Sequence, residues 1–227
     1  AGERNVTELT SSVENYLKAI YHLQGQGEDR VKTKDLASEL DISHSSVTNM
    51  LKSLSADGLV DYKPYKGARL SDQGVHAALK VIRNHRLIEI FLVKTLDYDW
   101  DEVHAEAERL EHAVSERLAD RIDDYLGRPK FDPHGDPIPT SAGEIDHPDG
   151  VPLDEIEAGR TVRIERVLDQ DPEVLRYLDE IGLTPHTELE VEEVMPVGGQ
   201  ISISLPQDEA KTVSQALASR LLVTDIS

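Results

Sequence analysis

Residues 32–60, KTKDLASELDISHSSVTNMLKSLSADGLV, place two helical patterns either side of a two-residue joint, and that compression leaves few ways to fold. The periodicity predicts helices over 33–40 and 43–57, separated by Asp41-Ile42 and stopped by Gly58. A hairpin pattern over 59–70, turning at Lys66-Gly67, follows at once. Helix, tight turn, helix and hairpin is the layout of a winged helix-turn-helix. Leu36, Ala37, Leu40, Val47, Leu51 and Leu54 supply its small core. The outward face of the second helix then carries Ser43, Ser45, Ser46, Thr48, Asn49 and Lys52, while Lys63, Lys66 and Arg69 fall on the wing. Hydroxyl and amide groups at a helix N-terminus suit base edges and phosphates, and the wing cations suit a passing backbone.

Net charge tests that reading. The chain of 227 residues carries -20 at pH 7, which argues against nucleic acid as a partner. Its distribution removes most of the objection. Residues 1–75 hold 9 basic and 11 acidic side chains, and residues 30–70 hold 7 and 5. The acidity lies in the remainder. An acidic surface poorer in Lys (10) than in Arg (14) also suits a cytoplasm of molar salt. The absence of cysteine excludes disulfide scaffolds, thiolate zinc fingers and cysteine nucleophiles. No apolar run is long enough to span a bilayer and the N-terminus has no apolar signal core, which points to a cytoplasmic protein; Ala1-Gly2 in place of Met reads as a processed start.

Elsewhere the periodicity predicts helices over 11–24, ended by Gly25-Gln26-Gly27, over 71–95, and over 100–126, the last with an apolar stripe at Val103, Ala107, Leu110, Val114 and Leu118. Residues 127–150 are rich in Pro, Gly and Asp and read as a linker with turns. After 151 the pattern alternates, in runs such as 161–164, 188–191 and 201–204 with a Gly198-Gly199 turn, as in a small β-rich module.

A second constellation lies on the long helices. His85 and Glu89 are four apart on one; His104, Glu108, Glu111 and His112 would share one stripe of the next. Imidazole nitrogens with carboxylate oxygens suit Mn(II) or Fe(II), and six such groups can enclose two ions. A metallohydrolase is the rival from another class, but the string Glu108-Arg109-Leu110-Glu111-His112 lacks the pair of histidines a zincin helix needs, so no enzyme is expected. A winged-helix regulator that ignores metal and senses a small molecule is the other alternative.

The chain resembles the diphtheria toxin repressor family, which includes iron- and manganese-dependent repressors. The resemblance rests on ENYLKAIYHL, on LDISHSSVTNMLKSLSADGLV, on RNHRLIEIFL, on DEVHAEAERLEHAVSERL and on FDPHGDPIP, in that order along the chain. It implies an α+β, mainly α protein: a winged helix-turn-helix (1–74), a helical metal-binding and dimerisation domain (75–128), a linker (129–150) and an SH3-like, FeoA-like β barrel (151–227), whose LDEIGLTPHTELEV is similar to iron-transport modules. It implies a homodimeric repressor that binds double-stranded operator DNA when loaded with Mn(II) or Fe(II), up to two ions per subunit, without a membrane. Carried over by position, the primary metal site falls on Asn15, Glu108, Glu111 and His112, and the ancillary site on His85, Glu89 and His104. Glu108 stands where iron sensors carry Cys and manganese sensors Glu. Asn15 stands where they carry Met and Asp. Lys18 replaces a further Glu ligand of the manganese branch. The set is free of sulfur and leans toward Mn(II). The nearest match to a ligand from the last domain is Glu165.

Overall fold

A computed structural model describes residues 9–25, 29–146, 150–195, 198–206 and 210–227. The processed-start reading of Ala1-Gly2 and the Gln26-Gly27 part of the first helix stop lie outside the described residues. The chain divides into two compact units. The first comprises 1–84, 111–114 and 139–144, and the second comprises 85–110, 115–138 and 145–227.

The first unit begins with α1 (Ser11–Gln24), capped by Thr10, whose hydroxyl accepts from the Val13 amide. Then come α2 (Thr33–Glu39), α3 (His44–Ala56) and a hairpin of β1 (Val60–Lys63) and β2 (Gly67–Leu70). Ser43, read as the first residue of this helix, instead caps α3 by accepting from the Ser46 amide. Val31 bridges to Ala68 and adds a third short rung to the hairpin. Gly67 is obligatory there: at φ +104°, a Cβ would lie 2.3 Å from the Val31 carbonyl oxygen. Leu17, Ile20, Leu36, Val47, Leu51 and Leu54 are fully buried in one core, with Leu40 at its margin.

Helix α4 (Asp72–Leu96) starts in the first unit and ends in the second. Residues 100–126 do not form one helix. They form α5 (Val103–Leu110) and α6 (Glu116–Tyr125), with turns between. The apolar stripe runs through the break, so periodicity could not reveal it. Two local devices make it: Ser115 caps α6, accepting from the Leu118 amide, and within the first unit Asn84 donates to the carbonyl oxygens of Glu111 and Val114. Leu110 and Leu118, read as stripe residues, are exposed.

The rest of the second unit is an antiparallel sheet of β3 (Val151–Pro152), β4 (Arg160–Val167), β5 (Glu188–Met195), β6 (Gln200–Ser204), β7 (Lys211–Ser214) and β8 (Leu221–Asp225). Helix α7 (Pro172–Glu180) follows β4, and α8 (Gln215–Ala218) precedes β8. Strand order is β3-β8-β4-β5-β6-β7; among the described residues β3 and β7 do not pair, so the expected barrel is an open sheet. Alternate residues (Val162, Ile164, Leu189, Val191, Ile201 and Ile203) enter its core. The β4–β8 register shifts between Ile164 and Arg166, a bulge at Glu165. No helix among the described residues is long and apolar enough to cross a membrane.

Leu51→Ala should cost the first unit about 2–5 kcal/mol, read by chemical denaturation of the full chain. In the same unit, the Arg30 hydrogen bond to Asp61 holds that carboxyl below its usual range. A depressed pKa stabilises above the ordinary carboxylate range and is lost as pH falls through the folded value. The melting difference between wild type and Asp61→Asn should therefore be present at pH 7 and be lost as pH falls below the ordinary carboxylate range; a difference independent of pH would refute the assignment.

Candidate metal centres and nucleic-acid interface

In the second unit, α4 turns His85 and Glu89 to the same side, one helical turn apart. His85 Nε2 lies 2.9 Å from Glu89 Oε1, and His104 Nδ1, from α5, lies 3.3 Å from that oxygen and 3.1 Å from His85 Nε2. Three sequence-predicted residues thus converge as one set of donors within 4.8 Å of one another. Glu89 is 1 % exposed, and such a group must be paired. Burial opposes its charge, but the hydrogen bonds from His104 and His85 prevail and hold the carboxyl well below the usual range.

The segment read as a linker contributes to the same place. Residues 131–137 form a tight turn closed by a Phe131–Pro137 bridge, and Asp132, His134 and Asp136 in it are buried. Asp132 Oδ1 accepts from the amides of His134 (2.8 Å) and Asp136 (2.9 Å). Asp136 takes the guanidinium groups of Arg86, at 3.0 Å, and of Arg166. The His134 carbonyl accepts from the Val167 amide of β4. Gly135, at φ +87°, sits so close to the Glu165 bulge that a Cβ would be 2.0 Å from its carbonyl oxygen. His134 Nδ1 comes to 3.9 Å from Glu89 Oε2 and 4.0 Å from Asp132 Oδ1, forming a second possible ligand group, Glu89, Asp132 and His134. Burial pushes the Asp132 carboxyl well above the usual range, and the charges of Asp136 and Glu89 add to the effect. Asp132 and His134 were missed from sequence because Pro-Gly-Asp composition marks a turn without saying whether it is buried. Two acids and a histidine held between prolines were the available signal. The Glu165 carboxylate is engaged by Arg163 at 2.8 Å.

Glu111 and His112 lie in the turn after α5 and not on its stripe, which corrects the helical-face expectation. Both belong to the first unit, as does Asn15, which is exposed on α1. Glu108 belongs to the second, where its Oε1 is 3.8 Å from His104 Nε2. In the first unit the Glu111 side chain is fully buried and accepts from Lys18 Nζ at 2.6 Å. His112 Nε2 is 3.4 Å from Glu111 Oε1, and its Nδ1 is 2.6 Å from Glu14 Oε2. Glu14, one residue before Asn15, escaped the sequence reading.

The two groups in the second unit, His85 with Glu89 and His104 and Glu89 with Asp132 and His134, fit a divalent ion of borderline-to-hard preference: nitrogen and oxygen only, with a buried imidazole nitrogen, His134 Nδ1, that has no hydrogen-bond partner among the described residues.

The DNA-facing expectation concerns the first unit. Ser43, Ser45, Ser46, Asn49, Lys52, Lys63 and Lys66 are exposed, Thr48 and Arg69 half-buried. Some polarity is spent locally: Ser43 Oγ lies 2.9 Å from both Ser45 Oγ and Ser46 Oγ, Thr48 donates to the His44 carbonyl, and Arg69 is 3.5 Å from Asp61. A cleft between α3 and the hairpin is lined by Lys32, His44, Thr48, Lys52, Tyr62 and Tyr65, among others. Lys32, His44 and the fully exposed Tyr65 were not anticipated.

Three family models match. Residues 8–68 match "Iron dependent repressor, N-terminal DNA binding domain", 71–140 "Iron dependent repressor, metal binding and dimerisation domain", and 151–225 the FeoA domain. The iron-dependent repressor IdeR of Mycobacterium tuberculosis is 30% identical over 97% of this chain and 100% of its own length. The diphtheria toxin repressor of Corynebacterium glutamicum is 31% identical over 81% of this chain and 85% of its own. Among solved structures, a manganese-dependent transcriptional repressor in complex with manganese is 40% identical, with a TM-score of 0.88 over 94% of this chain and 100% of that one. The manganese regulator SloR is 32% identical, with a TM-score of 0.75 over 96% and 100%.

Gly135→Ala should push the 131–137 turn off the β4 bulge. The expected result is a lower melting temperature together with weaker Mn(II) binding by calorimetry, whereas unchanged binding would show that the turn does not shape the centre.

Proposed function

The chain belongs to the iron-dependent repressor family, and from that premise we propose that it is a divalent-metal-dependent DNA-binding repressor, loaded with Mn(II) or Fe(II), that acts in the cytoplasm as a homodimer on double-stranded operator DNA. The observation that carries the reading is the convergence of His85, Glu89 and His104 on one buried point. We assign these three to an ancillary site and Asn15, Glu108, Glu111 and His112 to a primary one. The sulfur-free donors favour Mn(II).

The bound ion supplies the positive charge that holds these carboxylates and imidazoles together. The protein's own groups prepare the place. Glu14 receives His112 Nδ1–H and so turns the bare Nε2 toward Glu111, as an outer carboxylate does for a ligating histidine. Lys18 neutralises Glu111 until that role is taken over. Asn15 and Glu14 stand on α1 beside the DNA-binding elements, whereas Glu111 and His112 follow α5, so metal occupancy is communicated to the reading head through α1. Metal favours the DNA-binding conformation to the extent that it binds that conformation more tightly. On DNA, Ser43, Ser45, Ser46, Thr48, Asn49 and Lys52 face the major groove and Lys63, Lys66 and Arg69 the backbone, with the two heads one helical turn or a multiple apart.

Anaerobic titration of Mn(II) or Fe(II) against a fixed concentration of chain and labelled operator should raise affinity at least tenfold over chelator-treated protein. Glu111→Gln or His112→Ala should abolish that rise. DNA binding indifferent to chelator would overturn the metal-dependent reading in favour of a small-molecule regulator.

A further inference from the structure

The wing of the first unit ends in a tight turn whose backbone is unusual for its sequence. The Lys66 amide donates to the Lys63 carbonyl at 3.0 Å and closes a four-residue turn, Lys63-Pro64-Tyr65-Lys66. Pro64 fixes a negative φ at the second position, and Tyr65 at the third has φ 67°. That combination is a type II turn, whose third position ordinarily takes glycine or asparagine. A bulky side chain there carries backbone strain. The ring that the strain holds in place is 107 % exposed.

A single exposed aromatic is common on any protein surface, so exposure alone assigns nothing. Three further observations bear on this one. The conformation costs free energy that glycine or asparagine would not spend. All four turn residues are exposed, with lysines at both ends of the turn. Between the hairpin and α3 lies a cleft of about 510 Å³, lined by Lys32, His44 and Lys52 as well as Tyr62 and Tyr65. Basic groups around such a cleft suit a sugar-phosphate strand. With α3 in a major groove, the strand in the cleft is the one that borders that groove, and the wing tip stands over the minor groove beyond it. A phenol ring there meets sugars and base edges, while Lys63 and Lys66 serve the phosphates.

We propose that Tyr65 packs its ring into the minor groove beside the segment read by α3 and so adds a preference for flanking sequence through groove shape. The proposal rests on the DNA-binding reading above and goes beyond it, since there the wing supplies only charge. Aromatic and apolar side chains in a minor groove favour steps that widen or unstack easily. Such a contact releases no counterions, so it persists at salt concentrations that weaken lysine–phosphate pairs. It gives the chain a contribution to DNA affinity that its net charge of -20 does not oppose.

The test uses the full chain loaded with Mn(II) and a labelled duplex that this chain selects from random-sequence DNA. Tyr65→Asn relieves the turn, so its melting temperature should equal or exceed that of wild type. Its affinity for the duplex should nevertheless fall at least about fivefold, by a similar factor from low to high salt. Duplexes selected by this variant should also lose the flanking preference. Lys66→Ala should instead flatten the salt dependence, by about one in the slope of log affinity against log salt. Tyr65→Phe keeps the ring and should bind as wild type does. Tyr65→Gly gives the same readout as Tyr65→Asn if that variant does not fold. Unchanged affinity or flanking preference in Tyr65→Asn, a loss that disappears at high salt, or Tyr65→Phe as weak as Tyr65→Asn would overturn the ring contact and leave the repressor reading standing. A Mn(II)-loaded chain that selects no duplex would overturn both.

Discussion

Ten consecutive positions of α4, 81–90, are buried, and five of them, Arg83, Asn84, His85, Arg86 and Glu89, are polar or charged. A helix buried all round is normally apolar, so each exception demands an internal partner. Those demands organise the surrounding chain. Arg83 donates to the Pro139 carbonyl, Asn84 to those of Glu111 and Val114, and Arg86 to that of Pro137 as well as to Asp136. His85 and Glu89 satisfy each other and draw in His104. The turn after α5 and the 131–139 segment are both fixed by groups on one helix. Neither could be moved without stranding a buried polar group of that helix.

That dependence explains what could be read in advance. The winged segment was legible because its information is local: a leucine period, the two-residue Asp41-Ile42 joint, a Gly58 stop and a Lys66-Gly67 turn. The alternating strands of the last module were legible for the same reason. The break between α5 and α6 was not, because Asn84 imposes it from another helix while the apolar period of 103–118 continues unbroken. The error mattered for the site: Glu111 and His112 leave the helical stripe and enter a turn, where His112 can meet Glu14. His85, Glu89 and His104 survived because the i, i+4 pair is local and His104 precedes the break. His134 was illegible because its burial depends on β4, some thirty residues on.

Charge is handled differently inside and out. The net -20 is carried by surface acids, but every buried carboxylate discussed has a cationic or imidazole neighbour. Asp101 meets Arg176, Asp169 meets Arg220, and Asp136 meets Arg86 and Arg166. Arginine dominates because its fork can satisfy several acceptors while remaining charged. Arg86 alone spans the Pro137 carbonyl, Asp132 and Asp136. Histidine takes that place around Glu89 and beside Glu111, and there the neutralising partner can itself become a ligand.

The two proposed centres therefore start from different balances. At Glu111 the metal-free state is already compensated by the Lys18 ammonium at 2.6 Å, a strong contact because it is largely desolvated. An ion entering there must replace a tethered cation, so part of its binding free energy is offset by the contact it displaces. Among the described residues the Glu89 carboxylate is paired with imidazoles rather than with a lysine or arginine, and these partners can stay in place as ligands. The same ion thus displaces a tethered cation in one unit and meets partners already able to ligate it in the other. On this assignment, replacing Lys18 would raise affinity at the first centre without touching the second.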